Sequence, residues 1–288
     1  MLGFLGEPGR PVRTTPGTPV NPRIRAPVRE KTMAAAPHIE LDSRSPEAVD
    51  GRQIRAVTFQ DSRLEYVRGT LGNVDLPAPG SRAVVVGSGR GLLARGLAGL
   101  GFEVVAVDPS AVATEMAREA DGGEHPGIDY RTAPAERLGL ADGAFDLAYY
   151  ADTFEITSEL DRVLAEAARV LRPGGVLIYD TVNRTFLSRL IYLGAFQRVP
   201  MTRIMPAGRY TAARLRTPAE LTAALERQGL RNEDICDFKP KDPRSLVKAT
   251  MARRRGRISD EQIPPIVDFV LAPDARPLVT YLGYARKR

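Results

Sequence analysis

The run Val84-Val85-Val86-Gly87-Ser88-Gly89-Arg90-Gly91 constrains this chain more than any other feature. A continuous β-branched run fits a strand buried on both faces, the habit of parallel sheets covered by helices. Gly87 permits a tight turn, and Gly89 leaves no side chain between the backbone and an approaching ligand. Gly91 lets the following helix pack close to the strand. A second run, Val104-Val105-Ala106-Val107, ends in Asp108, 17 residues beyond Gly91. A carboxylate there is placed to accept hydrogen bonds from both hydroxyls of a ribose. Together these features imply an adenosine-containing ligand at the carboxyl edge of a parallel sheet.

The rest of the pattern agrees. Arg55 to Arg68 reads as a helix with Ile54, Val57, Leu64 and Val67 toward one face, and Pro77, Pro79 and Gly80 break the chain after it. Helices over 91–100 and 111–120 alternate with strands over 83–86 and 104–107. Further strands are expected at 128–131, 147–150 and 176–181. Leu160 to Leu171 is the clearest amphipathic helix, stopped by Pro173-Gly174-Gly175. Thr217-Pro218-Ala219-Glu220 is a capping box opening a helix that ends near Gly229. Residues 230–238 and 278–285 can supply two closing strands. Strands alternating with helices define an α/β fold with a Rossmann-like, mainly parallel sheet and flanking helices.

Which adenosine ligand follows from spacing. A dinucleotide loop needs glycine at position 92, which is Leu92, and no Gly-Lys-Ser/Thr of a nucleotide-triphosphate loop is present. A ligand without phosphates, S-adenosylmethionine (SAM), fits better than a pyrophosphate.

Composition narrows the alternatives. One cysteine, Cys236, excludes an internal disulfide and a zinc ribbon, and His38 and His125 are too few and too far apart for a histidine metal motif. Of the formal +6 charge, residues 1–32 carry +4, from Arg10, Arg13, Arg23, Arg25, Arg29 and Lys31 against Glu7 and Glu30. The remainder is nearly neutral, and no aromatic residues interleave with its arginines, so a nucleic-acid partner is not expected. No window approaches a membrane span or a signal peptide, and a cytoplasmic location is expected. Residues 1–51 read as a disordered Pro/Arg-rich leader, and 52–288 as the folded domain.

The sequence resembles class I SAM-dependent methyltransferases through Val84 to Gly91, Val105-Ala106-Val107-Asp108, Asp142-Gly143-Ala144-Phe145-Asp146 and Leu171-Arg172-Pro173-Gly174-Gly175. Within them it resembles the ubiquinone-biosynthesis O-methyltransferase family, through Arg63 to Val67, Thr181 to Thr185, Met205-Pro206-Ala207-Gly208, Thr217 to Leu221 and Tyr284 to Lys287. The resemblance implies a seven-stranded sheet whose last strand is antiparallel. It places Arg63 near the methionine carboxylate of SAM, Gly87, Ser88, Gly89 and Gly91 around the cofactor, and Asp108 with Pro109 at the ribose. Ala135 and Glu136 would flank the adenine, and Ala151 would line the methionine moiety. Pro134 stands where the family often has an acidic residue.

The family usually carries Glu-x-x-Glu-His after the fourth strand, used with a divalent cation. Here Asp152 and Glu155 keep two carboxylates, and Ile156 replaces the histidine. Their spacing puts both on one face if the segment is helical, and oxygen ligands suit Mg²⁺, one ligand short of the family pattern. As catalytic groups they would favour the nucleophilic phenolate of an acceptor; the alternative is a pair of surface or capping carboxylates.

Residues 183–215 form a lid or substrate segment. Phe186, Leu187, Leu190, Ile191, Leu193, Phe196, Val199 and Ile204, with arginines between, could cover a hydrophobic acceptor, pack as an ordinary cap, or rest peripherally on a membrane over 186–206. Tyr149, Tyr150, Tyr192 and Tyr210 could wall an aromatic acceptor. The reaction expected is methyl transfer from SAM to a hydroxyl of a hydrophobic aromatic small molecule, such as a polyprenyl phenol or quinol. The alternatives are N- or C-methylation of another metabolite, methylation of RNA, and SAM binding without catalysis.

Overall fold

The structure, a computed structural model, describes residues 37–288. Of the expected leader, residues 1–36 lie outside the described residues, but 37–50 are not a leader. Strands β1 (His38–Ile39) and β2 (Ala48–Val49) pair in parallel, and Val49 is fully buried. Asp50 then caps helix α1 (Gly51–Val74) by accepting hydrogen bonds from the Arg52 and Gln53 amides. That cap starts the helix four residues before the apolar pattern suggests, and Asp75, in the left-handed region at φ 52°, ends it. The apolar Ile39 and Val49 pack with the segment after residue 190, a long-range contact that local composition does not reveal.

The chain next builds β3 (Arg82–Val86), α2 (Leu92–Gly99), β4 (Glu103–Asp108), α3 (Ala111–Asp121), β5 (Ile128–Thr132), β6 (Phe145–Tyr150), α4 (Leu160–Val170) and β7 (Leu171–Val182). Every one of these elements was expected. All five strands run parallel, in the order β5-β4-β3-β6-β7. Their Val, Ile, Leu and Ala side chains fill two cores, one on each face of the sheet. The carboxyl ends of β3, β4, β6 and β7 therefore share one edge, where ligands bind in sheets of this kind.

A short helix α5 (Phe186–Ser188) passes into a π-helical stretch over Arg189–Ala195. Buried Gln197 fixes the segment that follows, donating to the Tyr192 and Tyr210 carbonyls and accepting from the Tyr210 amide. Gly51 lets α1 meet this segment: a Cβ there would fall 2.7 Å from Met205 Sδ. Helix α6 (Pro218–Arg227) carries the predicted capping box of Thr217 and Glu220.

Strand β8 (Leu230–Pro240), helix α7 (Pro243–Arg254), strand β9 (Phe269–Ala272) and strand β10 (Thr280–Lys287) finish the chain. β10 inserts antiparallel between β7 and β8, as the resemblance implies. The sheet has eight strands, not the seven expected, because β9 adds antiparallel to the edge of β8. The Phe269 ring holds it there, 4.7 Å from Phe59 and 5.7 Å from Phe238 between centroids.

Candidate cofactor and acceptor site

The loops after β3, β4 and β6 enclose a cleft of about 1030 Å³, counting its open mouth. Gly87, Gly89 and Gly91 all sit at positive φ, at 76°, 53° and 74°. The Gly87 and Ser88 amides donate to the Val107 carbonyl at 2.9 and 3.1 Å, which pins the loop to β4. A Cβ on Gly87 would come within 2.7 Å of Thr153 Oγ1, whereas one on Gly89 would meet nothing nearer than 3.9 Å. Gly91 answers a different need from the one expected. Its absent side chain makes room for Tyr130 and Ala117, at 2.8 and 3.0 Å from a built Cβ.

Asp108 is fully buried, accepting from the Gly89 amide at 2.8 Å and the Ser110 amide at 2.9 Å. Arg52 also pairs with it, while the same guanidinium holds Asp42 through Nη1 at 2.7 and 2.9 Å. Arg52 is a site residue that the sequence reading missed. It lay beside a stretch read as leader, and only the docking of residues 37–50 brings Asp42 to it. Pro109, Ala135, Glu136 and Ala151 line the cleft together with Pro134, as does Ser88. Glu136 accepts from the Thr157 hydroxyl at 2.8 Å.

At the methionine end proposed from the resemblance, five charged groups meet, all buried except the half-buried Asp152. Arg63 donates to Asp152 at 2.9 Å and to Asp180 at 2.8 Å. Arg55 donates through Nε to Asp152 at 2.9 Å, through Nη1 to the Tyr192 hydroxyl, and through Nη2 to Glu155 at 3.3 Å. Thr181 donates to Glu155, and the Tyr149 hydroxyl to Asp180, each at 3.0 Å. Burial pushes Glu155 up to about 7, with neighbouring Asp152 adding to the rise. Burial likewise lifts Asp180 to about 6, against the pull of Arg63. Burial also penalises ionised Asp152, but Arg55 and Arg63 outweigh it and hold that carboxyl well below the usual range.

These positions correct the expectation of two carboxylates on a helical face. Residues 152–156 form a turn, with Asp152 in the left-handed region at φ 47°. Asp152 lines the cleft, but Glu155 is fully buried and does not. Arg55 bonds both carboxylates, so a cation cannot share them without displacing a guanidinium. Among the described residues no cluster of three or more His, Cys, Asp or Glu is arranged to hold a metal ion. Mg²⁺ has no support here.

Tyr149 and Tyr150 line neither this cleft nor a second, apolar cavity; both are fully buried in the sheet, Tyr150 stacked 5.5 Å from Phe154. Tyr192 does line one. Beyond Arg55, an apolar cavity of about 1330 Å³, counting its open mouth, runs between α1, the π-helical stretch, α7 and β8 to β10, with Phe59, Tyr192, Phe196, Phe238 and Phe269 in its wall. Of the arginines at 253–257, Arg253 is buried, bonding Asp260 at 2.6 Å and the Ala48 carbonyl, while Arg255 and Arg257 are exposed.

The cleft suits SAM. Open backbone at Gly89 leaves room for a ligand, and the Nε of buried Arg63 has no hydrogen-bond partner, a donor left for a carboxylate. Fold and cleft thus define a Rossmann-like α/β protein built around an adenosine cofactor. Residues 84–179 match the methyltransferase domain family. The chain is 30% identical over 183 residues to the ubiquinone biosynthesis O-methyltransferase of Sinorhizobium fredii, covering 61% of this chain and 73% of that one. It is 31% identical to the enzyme of the same name from Agrobacterium fabrum, covering 60% and 71%. An S-adenosylmethionine dependent methyltransferase from Mesorhizobium loti superposes with a TM-score of 0.52 at 24% identity, over 79% of this chain and all of that one. The chain belongs to the class I SAM-dependent methyltransferases. Among the described residues no helix is long and apolar enough to cross a membrane.

Proposed function

We propose that this methyltransferase acts on a hydroxyl of a hydrophobic aromatic small molecule. The observation that carries the reading is the apolar cavity behind Arg55, whose wall is almost wholly hydrophobic and rich in aromatic rings. It adjoins the cofactor cleft through the Arg55–Asp152 pair, so an apolar body and a polar reacting end can be held together. The similarity to ubiquinone biosynthesis O-methyltransferases supports oxygen as the atom methylated.

SAM, when bound, supplies a methyl group activated by its sulfonium. The protein's task is to bind, orient and exclude water. Arg63 Nε donates to the cofactor's carboxylate. Gly87 to Arg90 and Ala151 would cradle its amino-acid part, Pro109 would lie at the ribose, Ala135 and Glu136 would flank the adenine, and Asp108, buried behind the lining and held by Arg52, would take the ribose hydroxyls once Arg52 gives way. Asp152 accepts a hydrogen bond from the acceptor hydroxyl and orients it. The acceptor hydroxyl would take the methyl group that SAM supplies, leaving the cofactor as its neutral thioether, and its proton would pass by way of Asp152 to water at the open mouth of the cleft. Glu155 acts through Arg55, holding that guanidinium against Asp152. Exposed Phe186, Leu190 and Met201 mark where the lid would rest on a bilayer if the acceptor is drawn from one.

The test is incubation with isotopically labelled SAM and catechols bearing alkyl chains of increasing length. O-methylated product, with kcat/KM rising with chain length, supports the reading. Label only on nitrogen or carbon overturns it. Calorimetry should show Asp108→Ala weakening SAM at least tenfold; unchanged affinity would remove Asp108 from the site.

A further inference from the structure

Four arginines line the cofactor cleft: Arg52, Arg63, Arg90 and Arg209. Three form ion pairs with carboxylates, although the Nε of Arg63 and of Arg90 has no partner. Arg52 pairs with Asp42 and Asp108, Arg63 with Asp152 and Asp180, and Arg90 with Asp50 at 2.9 Å. Arg209 differs. Among the described residues its guanidinium has no ion pair and makes no hydrogen bond, and its Nε is shut off from water. A half-buried guanidinium with no carboxylate partner and a dry, unpartnered Nε gains from an anion that arrives to accept its protons.

Its backbone is held firmly. The Arg209 amide closes a turn on the Pro206 carbonyl, with Gly208 between them at φ 81°. On the other side Tyr210 is locked to buried Gln197 by hydrogen bonds at both its amide and its carbonyl. The Tyr210 ring meets Tyr192 edge-on, 5.1 Å between centroids, and Tyr192 carries the hydroxyl that Arg55 grips. Arg209 is therefore placed by the same buried scaffold that places Asp152.

We infer that Arg209 is the recognition group for an anionic substituent on the methyl acceptor, a carboxylate in the first instance, and so a specificity-determining residue of this enzyme. The inference rests on the proposed function, which it sharpens from a hydrophobic aromatic hydroxyl compound to one that also bears an acid. The cofactor does not answer the need. SAM has a single anionic group, its carboxylate, and the more deeply buried orphan Nε of Arg63 stands ready for it. Glu136 lines the cleft too, but its hydrogen bond is to Thr157 and it forms no ion pair with Arg209. Arg209 also lies outside residues 84–179, the part shared with the methyltransferase domain family at large. It belongs to the lid segment, where recognition of an individual acceptor is expected to reside. A carboxylate reaching Arg209 would gain a charge-assisted, potentially two-point contact.

The test compares two catechols of similar size, 3,4-dihydroxyphenylacetate and 4-ethylcatechol. Calorimetry measures their binding to wild type, Arg209→Gln and Arg209→Lys, each saturated with S-adenosylhomocysteine. Wild type should prefer the acid on the order of 10- to 100-fold. Arg209→Gln should abolish the preference while leaving S-adenosylhomocysteine affinity unchanged, and Arg209→Lys should restore part of it. The inference is overturned if the acid does not bind, if wild type shows no preference, or if Arg209→Gln retains it. It is also overturned if the glutamine variant loses cofactor affinity as steeply, which would assign Arg209 to the methionine carboxylate. Turnover is scored separately. A preference for the acid with no O-methyl product leaves Arg209 in its role and removes the O-methyltransferase reading alone.

Discussion

At the scale of single residues, the glycine loop offers the sharpest contrast. Gly87 and Gly89 both sit at positive φ, so an alanine is strained at either. Only at Gly87 would the new methyl also meet backbone and side chain, at Ala151 and Thr153. Gly87→Ala should cost roughly 2–4 kcal/mol, seen as a lower urea midpoint, and abolish SAM binding. Gly89→Ala should cost about 1 kcal/mol and act chiefly on SAM affinity. Equal losses of stability in the two variants would show that close packing at Gly87 is not the controlling factor. The turn at Gly87 to Gly91 was legible because a short motif encodes it locally, and Ala135, Glu136 and Ala151, placed by the resemblance, line the cleft. Arg52, Arg55 and Arg209 were not. Nothing local distinguishes a site arginine from the many others in this chain: the carboxylate partners of Arg52 and Arg55 lie 10 to 100 positions away, and Arg209 has none among the described residues.

Among the elements, those encoded by their own periodicity and caps appeared where expected, from β3 through α4 and again at α6. The exceptions depend on distant partners. β1 and β2 exist because residues 37–50 pack on α1 and the segment 191–215, and β9 because Phe269 finds Phe59 and Phe238. The two caps put a number on this difference. Thr217 sits on an exposed helix end, and Thr217→Ala should lose about 1 kcal/mol. Asp50 is buried, caps α1 through two amides, accepts from the Asp42 amide and pairs with Arg90. Asp50→Ala leaves all of these without a partner and should cost about 3 kcal/mol or more. Urea titrations of the two variants check the ordering. A smaller loss at Asp50 than at Thr217 would mean that residues 37–50 are not part of the cooperative unit.

Across the whole molecule, the buried cluster beside the cleft sets a pH dependence that joins stability to cofactor binding. Three carboxyls, Asp152, Glu155 and Asp180, face two guanidiniums, Arg55 and Arg63, which leaves one negative charge in excess when all are ionised. The fold resolves the excess by holding protons. Glu155 and Asp180, raised to about 7 and about 6, stay protonated in a window where the unfolded chain has released its protons. The folded state then binds more protons, so this contribution to stability falls as pH rises from about 4 to 7. Asp152, depressed, works the other way, and its contribution is lost only in stronger acid. Glu155→Gln removes the largest rise, so its stability relative to wild type should improve between pH 4.5 and 7, by roughly 2–3 kcal/mol. A cofactor carrying a sulfonium and an ammonium against one carboxylate brings net positive charge to this edge of the cluster. That charge favours the ionised form of Glu155. SAM binding near pH 6.5 should therefore release a fraction of a proton, and affinity should rise with pH up to about 7.5. Calorimetry in buffers of different ionisation enthalpy reads the proton directly. Its disappearance in Glu155→Gln would assign it to that carboxyl, and proton uptake in wild type would contradict the placement of the sulfonium beside Asp152.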